Sequence, residues 1–404
     1  SQGYSITINQ ADNALADFDA PEVPVMQEVA LTFSLTVTDI RGLSHTDTVE
    51  ITVMGEGLPD NPFEISSVLE LQKVGTGVDG WVLEGNYLQT SDIDLSAAGE
   101  WLPIGTEQAP FTGVYDGGGY TINGLTVNQP GQCNLGFIGY GKEVLIQNLQ
   151  LSNVSVRGFC NVGGLGGYLF ESAEIRDVEV SGDVASSEKD SNNIGGVIGG
   201  FVGNGLSIMS SSLDGNVKGE NYVGGVVGNI HAGPAFIVDS YSTGSVGWNG
   251  EDRARFIGGF VGGIGWPDMN AGYVLIEDSY SDSIVSVISA WEVGGYAGAI
   301  YANNLEIIHA HSSGDIQIDG GADNTGGFVG AIFPGLIRID NSYSESSIFV
   351  NDYINTMGGF AGRIWASSDV HQPPEGNLEI TSCYVNADVI SAYGVESGEA
   401  VPTY

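Results

Sequence analysis

A glycine-rich motif, Gly-Gly-x-x-Gly, recurs eight times in this chain and constrains its fold more than any other feature. Successive copies begin 28 to 36 residues apart. Chance does not place so many glycine pairs in phase, and a period of this length is typical of a solenoid in which each repeat forms one coil. The copies occupy residues 135–139, 163–167, 195–199, 224–228, 258–262, 294–298, 326–330 and 358–362, with Leu135 replacing the leading glycine of the first and Gly166 added in the second.

A second motif follows each glycine motif and predicts a bent strand. It reads Ile-x-x-Ser-Tyr at 237–241, 276–280 and 339–343 and Ile-x-x-Cys-Tyr at 380–384, with looser versions around Ile146, Ile175, Ile208 and Ile307. A further β-branched run, such as 315–318, completes each repeat. Three strands joined at Gly, Asn and Asp corners describe one turn of a β-helix, with glycine serving corners of positive φ and sites where coils approach closely. No 3.6-residue period is sustained, so no helix is predicted.

The first 57 residues have a different pattern, which predicts strands of a sandwich. Apolar residues alternate with hydroxyl or charged residues at 5–8, 31–37 and 48–53, and the turn 38–42 joins the last two runs into a hairpin. This stretch resembles the C-terminal half of bacterial PKD-like (Ig-like) modules, whose endings are similar to residues 18–23 and 35–39. It is too short for a whole sandwich of about seven strands.

These patterns together predict an all-β chain with three parts. Residues 1–57 form the C-terminal part of a β-sandwich module, residues 58–130 form a linker and the N-terminal cap of a solenoid, and residues 131–404 form a β-solenoid (β-helix) of about eight coils.

The repeats resemble the GLUG family of bacterial surface and secreted proteins. The resemblance covers about residues 61–384 and includes the run before the first glycine motif, at 87–95, 101–105 and 111–122. GLUG arrays occur in adhesins, in large envelope proteins and beside secreted peptidases and polysaccharide-acting proteins. The resemblance therefore implies a location, extracellular or at the bacterial cell surface, more than a chemistry.

The charge balance restricts the partners. Acidic residues outnumber basic ones 50 to 11, and the formal net charge is −39. This argues against nucleic acids and anionic lipid surfaces, which need clustered Lys and Arg. No apolar run approaches the ~18 residues that cross a bilayer, so no membrane insertion is predicted. We expect neighbouring modules of the same long chain, and a polysaccharide or cell-surface glycan, as partners.

Calcium is the one cofactor that this composition suggests. Asp92 and Asp94 alternate with Ile93 and Leu95, so both carboxylates would face outward from one strand and could share the ion. No Asp-x-Asp-x-Asp-Gly loop surrounds them, which favours the alternative of a solvated outer face.

Two of the three cysteines could form a disulfide. Cys133 and Cys160 lie 27 residues apart, close to one repeat, which would place them on neighbouring coils within bonding reach. The alternative is a pair of buried free thiols.

Aromatic residues recur in phase with the repeat and are the candidate ligand-binding residues. The first column contains the tyrosine of the second motif. The chain bends just before this tyrosine, and we expect the bend to turn its ring to solvent. The second column lies six residues after the second glycine of each Gly-Gly-x-x-Gly motif. Such columns could bind polysaccharide through ring faces, or could only stack along the solenoid. The first column is Tyr241, Tyr280, His311, Tyr343 and Tyr384, and the second is Tyr301, Phe333 and Trp365, with His231 in the same phase and Trp266 displaced by one.

No arrangement of residues in the sequence predicts catalysis. A β-helix lyase needs a basic residue beside a calcium-loaded acidic cluster, and only four lysines are present, at 73, 142, 189 and 218. Asp239 and Asp278 are in phase on adjacent coils, as a hydrolase pair would be, but they recur as corner residues. We therefore expect a non-enzymatic adhesion or carbohydrate-binding segment, with a structural spacer and a polysaccharide-degrading enzyme as the alternatives.

Overall fold

A computed structural model describes residues 6–9, 11, 16–186, 188–265, 271–333, 335–365 and 377–391. The chain begins with two antiparallel strand pairs. Their strands are β1 (Ile8–Asn9), β2 (Asp17–Phe18), β3 (Glu28–Thr38) and β4 (Ser44–Met54).

The predicted hairpin is formed by β3 and β4. Its turn is held by Asp39, whose carboxylate accepts hydrogen bonds from the backbone N–H groups of Arg41 and Leu43. The alternating pattern predicted one buried face, yet Leu35 and Val37 are 64% and 63% exposed. A two-stranded ribbon buries little surface unless a second sheet covers it, and none does so among the described residues.

Parallel coil pairing begins at Phe63, within the segment predicted as linker and cap. This segment contains one-turn helix α1 (Val68–Leu71) and a 3₁₀ turn (Val78–Gly80), which the sequence pattern did not predict. Ser67 caps α1 through the Glu70 N–H, and the Glu70 carboxylate accepts bonds from Ser66 and Ser67, so local capping stabilises the turn without any helical period. The strands are β5 (Phe63–Ile65), β6 (Asn86–Gln89), β7 (Ile93–Asp94), β8 (Val114–Asp116), β9 (Thr121–Asn123) and β10 (Thr126–Asn128).

Eight coils follow, each opening with a strand of one eight-stranded parallel sheet. Coils 1 to 4 are β11 (Cys133–Leu135) and β12 (Ile138–Arg157); β13 (Cys160–Gly163) and β14 (Gly166–Ala185); β15 (Asn192–Gly195), β16 (Ile198–Met209) and β17 (Ser212–Lys218); and β18 (Asn221–Gly224), β19 (Val227–Ala232), β20 (Ala235–Val238) and β21 (Tyr241–Trp248). Coils 5 and 6 are β22 (Arg255–Gly258), β23 (Val261–Ile264), β24 (Ala271–Glu277), β25 (Tyr280–Ser281) and β26 (Ile284–Val287); and β27 (Ala290–Gly294), β28 (Ala297–Ile300), β29 (Ala302–Ile308), β30 (His311–Ser312) and β31 (Ile316–Ile318). Coils 7 and 8 are β32 (Ala322–Gly326), β33 (Val329–Ile332), β34 (Leu336–Asp340), β35 (Tyr343–Ser344) and β36 (Ile348–Val350); and β37 (Ile354–Gly358), β38 (Ala361–Ile364), β39 (Asn377–Thr381), β40 (Tyr384–Val385) and β41 (Val389–Ser391).

The predicted β-solenoid of about eight coils is confirmed. The isoleucines of the second motif pair directly from coil to coil, as Ile237 with Ile276 and Ile276 with Ile307, and their side chains are fully buried. Phe260, Tyr296 and Phe328 stack inside the solenoid with ring centroids 4.7–4.8 Å apart. These columns form one continuous apolar core.

Coils 5 to 8 each contain five short strands where the sequence predicted three. One break in each of these coils comes from a residue in the left-handed region, as at Asp278 with φ 50° in coil 5, and coil 4 bends in the same way at Asp239 with φ 51°. This bend splits the Ile-x-x-Ser-Tyr motif in two and explains these aspartates as corners. The serine after each bend is buried and caps the break: Ser240 Oγ donates to the Val238 carbonyl and accepts from the Ser211 N–H.

The motif glycines are required by close approach, and the expectation that they supply positive φ at corners is wrong. Gly224, Gly225, Gly258 and Gly259 have no positive φ. A Cβ on Gly258 would lie 2.1 Å from the Val261 carbonyl oxygen, and one on Gly259 would lie 2.3 Å from Ser281 Oγ. The glycine motif therefore packs against the serine that follows the motif tyrosine, which is why the two motifs recur together.

Candidate functional site

The first aromatic column forms a continuous stack, called here the tyrosine ladder: Tyr241, Tyr280, His311, Tyr343 and Tyr384. Neighbouring ring centroids lie 4.8–5.0 Å apart and the planes differ by 2–6°. The left-handed bend positions each rung. Because the residues on both sides of Tyr280, Ser279 and Ser281, are fully buried, its side chain must point outward.

Ring edges, not ring faces, form the exposed part of the ladder. Sequence reasoning expected flat faces on which sugar could pack, but each inner rung has both faces covered by its neighbours. The phenol rims remain at the surface, and acidic groups flank them, with Asp282 Oδ1 lying 3.8 Å from His311 Nε2. Partial burial raises the pKa of Tyr280 and of Tyr343 and lowers that of His311, which favours the neutral form of these three rungs.

The second column also stacks. The rings of Tyr301 and Phe333 are 3.8 Å apart, those of Phe333 and Trp365 are 5.6 Å apart, and the Arg363 guanidinium lies 3.6 Å above Trp365. Among the described residues this stack begins at Tyr301, and the preceding coil has Gly265 at that register. His231, one coil earlier, therefore contacts the Tyr168 ring instead, at 6.2 Å; Trp266 lies outside the described residues.

Sequence reasoning missed two buried aromatic residues that pack against this column. Tyr222 and Phe256 lie two positions before the leading glycine of their coils and are 5% and 7% exposed; their ring centroids are 4.6 Å apart and their planes are tilted by 40°. Phe256 meets Tyr301 edge to face at 6.0 Å. The signal was available, because in the two preceding coils the same position is asparagine: Asn161 and Asn193.

A cleft of about 660 Å³ lies beside this pair and spans coils 3 to 6. Trp291 forms one side, with the guanidinium groups of Arg253 and Arg255 over its ring at 4.5 and 5.1 Å. Arg253 pairs with Asp323 at 3.0 Å, and Lys189 pairs with Asp252 at 3.0 Å. The cleft thus combines aromatic walls, amides and both signs of charge, a mixture suited to polar ligands.

Two titratable groups have strongly shifted pKa values: His231, which lines the cleft, and Glu292, which follows the lining residue Trp291. Burial raises the pKa of Glu292 to about 7, despite the Asn324 hydrogen bond and the nearby Arg255 and Arg253. Burial lowers the pKa of His231 to about 4, so this imidazole is neutral near pH 7. Glu292 directly follows Trp291, and the parallel register of β22 with β27 places it beside Phe256 of the preceding coil.

The predicted calcium residues are engaged with neighbouring chain segments. Asp92 Oδ1 accepts from the Thr121 N–H, and Asp94 Oδ1 accepts from the Ser96 N–H and from Asn123 Nδ2, which lowers the pKa of Asp94. Both aspartates are exposed, as expected, and calcium binding by them stays a prediction. Among the described residues, the one three-residue group close enough to hold a metal is Glu277, Asp278 and His309, at an exposed corner.

Cys133 and Cys160 are joined by a disulfide across coils 1 and 2. They are direct partners in the parallel register, with Cα atoms 4.5 Å apart. Repeat spacing brings them together, and the free-thiol alternative does not apply to this structure.

Comparisons with known proteins show partial similarity. No family model matches, so the GLUG and PKD-like likenesses stay resemblances. Halomucin of Haloquadratum walsbyi is 33% identical over 146 residues, which is 33% of this chain and 2% of that protein. A protein of Evansella cellulosilytica named as a Gly-rich membrane protein is 33% identical over 113 residues, or 26% of this chain and 13% of that protein. The chain thus spans a small part of the curated relatives it matches.

Two solved structures are similar at low identity. A Bacteroides ovatus protein named for immunoglobulin A1 protease matches with 18% identity and a TM-score of 0.44, covering 86% of this chain and 82% of that one. A structure named IgA1 Protease matches with 13% identity and a TM-score of 0.34, covering 90% of this chain and 23% of that one. In the described part of this chain the longest helix is a single turn, and no helix could span a bilayer.

Proposed function

We propose that this chain is a non-catalytic segment of a surface or secreted protein and binds polysaccharide along the tyrosine ladder. The observation that carries the proposal is the ladder itself: a regularly spaced row of ring edges, four phenols and one imidazole, flanked by carboxylates. A regular row of donors and acceptors is suited to a polymer with its own repeat. Similarity to halomucin and to a protein named for the membrane supports a surface or secreted location.

The test is a double variant, Tyr280→Ala with Tyr343→Ala, measured for retention on a broad panel of immobilised polysaccharides. We expect retention to fall about tenfold, since each aromatic contact contributes roughly 0.5–1.5 kcal/mol. Tyr353→Ala is the matched control, because Tyr353 is 47% exposed and is outside the ladder. Unchanged retention in the double variant, with the fold intact by circular dichroism, would contradict the proposal.

A spacer role is the second candidate, favoured by the small share of its relatives' length that this chain covers. A rod that only separates other modules would bind none of the glycans on the panel. Release of shortened or unsaturated sugars from any glycan would instead contradict the non-catalytic assignment.

A further inference from the structure

The cleft beside Tyr222 and Phe256 contains a buried hydrogen-bond acceptor that has no donor. Asn161 donates through Nδ2 to Asn134 Oδ1, and Asn193 donates in turn to Asn161 Oδ1, both at 2.8 Å. This amide column ends where Tyr222 replaces the next asparagine. Asn193 lines the cleft and is 5% exposed, and its Oδ1 accepts no hydrogen bond from any described residue. A buried acceptor without a donor is costly, and a ligand hydroxyl would satisfy it.

The aromatic residues that interrupt the amide column adopt an unfavourable backbone conformation. Tyr222 and Phe256 have φ values of 54° and 57°, a region that asparagine tolerates and bulky residues rarely adopt. Strained residues of this kind persist mainly where they serve a function. Here they replace hydrogen-bonding amides with an apolar wall beside the cleft.

Arg255 provides donors that nothing in the described part of the chain uses. Its guanidinium lies over Trp291 and has no ion pair or hydrogen bond there, whereas the neighbouring Arg253 and Lys189 are each paired with an aspartate. The stacking holds the planar group in place, so its N–H groups are positioned before any ligand arrives. A carboxylate or sulfate matches this fork of donors.

The local charge is unusual for this molecule. Three of the chain's eleven Lys and Arg residues line the cleft together with three acids, Asp190, Glu220 and Asp252, so its lining is balanced in charge whereas the whole chain has a net charge of −39. With Lys189 and Arg253 neutralised by aspartates, Arg255 is the cation left to attract an anionic group. The volume of about 660 Å³ is within the ~300–1,000 Å³ of small-ligand sites.

We propose that this cleft binds a sugar carrying a carboxylate or a sulfate, with Arg255 holding the anionic group and the Asn193 carbonyl accepting a ring hydroxyl. The proposal rests on the function proposed above only in taking a glycan as ligand. The cleft and the tyrosine ladder share no residue, so the two sites can be tested separately.

The experiment is calorimetric titration of the whole chain with oligogalacturonate, its fully methyl-esterified form, a sulfated galactan oligosaccharide and oligo-glutamate. We expect the charged sugars to bind and the ester to bind much more weakly, with the tighter of the two charged sugars identifying the anion. Arg255→Gln should weaken binding of the charged sugars about 10- to 100-fold, the loss expected for a charge-assisted hydrogen-bonded pair. Arg255→Lys should recover part of it.

Arg41→Gln is the matched control, since it removes the same charge from the exposed turn of the N-terminal hairpin and should leave affinity unchanged. The ladder variant Tyr280→Ala with Tyr343→Ala should bind oligogalacturonate normally, which separates failure of this proposal from failure of the first. Equal affinity for the esterified sugar would overturn the role of the anion. Oligo-glutamate binding as tightly as the sugars, or no binding of either charged sugar, would overturn the site as a glycan site.

Discussion

At the scale of single residues, phase within the repeat decides what each side chain can do. The predicted ladder positions stack in order because one bend fixes every rung. What the repeat phase did not reveal is ring orientation, since parallel coils stack identical rings face to face and leave only edges exposed. Tyr222 and Phe256 were missed because a position held by asparagine in earlier coils gives no sign that an aromatic residue can occupy it.

Glu292 gives a residue-scale prediction about pH. Its pKa is about 7 in the fold against an ordinary 4.5, so the folded state holds a proton that the unfolded chain releases between these values. The contribution of Glu292 to the free energy of unfolding is therefore greatest below pH 4.5. It falls as the pH rises from 4.5 to 7, and above pH 7 it is lower by about 3 kcal/mol. We expect Glu292→Gln to be more stable than wild type at pH 8 and equal at pH 4.5, measured by urea unfolding. Identical pH profiles for the two proteins would contradict this, and Glu179→Gln, an exposed change on β14, is the control.

At the scale of elements, the Gly-Gly-x-x-Gly motif and the Ile-x-x-Ser-Tyr motif are separate in the sequence but pack against each other in the solenoid. The sequence predicted coils and their phase correctly from the spacing of glycines and isoleucines. It predicted the bend before each motif tyrosine, but not that the left-handed φ of Asp278 and equivalent residues would split the strand in two there. Of the two roles that the sequence predicted for glycine, the motif glycines serve close approach between coils and do not supply positive φ at corners.

Substituting a motif glycine tests this packing. Gly258→Ala should destabilise the solenoid by at least about 2 kcal/mol, because its Cβ would lie 2.1 Å from the Val261 carbonyl oxygen and backbone must move. Gly205→Ala is the control: that site has open space around the Cβ and no positive φ, so the change should be neutral or slightly stabilising. Equal melting temperatures for the two variants would show that close approach is not what the motif glycine serves.

At the scale of the whole molecule, the solenoid carries two separate surfaces on one rigid scaffold. The ladder follows from the repeat, so sequence could place it. The cleft could not be placed, because it combines residues from coils 3 to 6 and includes Asp252 and Arg253 from the segment between β21 and β22. A faint signal exists: the two longest intervals in the array, 34 and 36 residues, flank the glycine motif at 258–262. Extra length within a repeat marks chain outside the regular coil, where sites are commonly built.

Polysaccharide is proposed to bind the tyrosine ladder, whose residues recur with the same period as the glycine motif. Hydroxyl-radical footprinting tests this most directly. A retained polysaccharide should protect Tyr280 and Tyr343 from oxidation while leaving Tyr120 and Tyr353 unprotected, since those two are 39% and 47% exposed and are outside the ladder. Equal protection of all four tyrosines, or protection of Tyr120 and Tyr353 alone, would contradict the account.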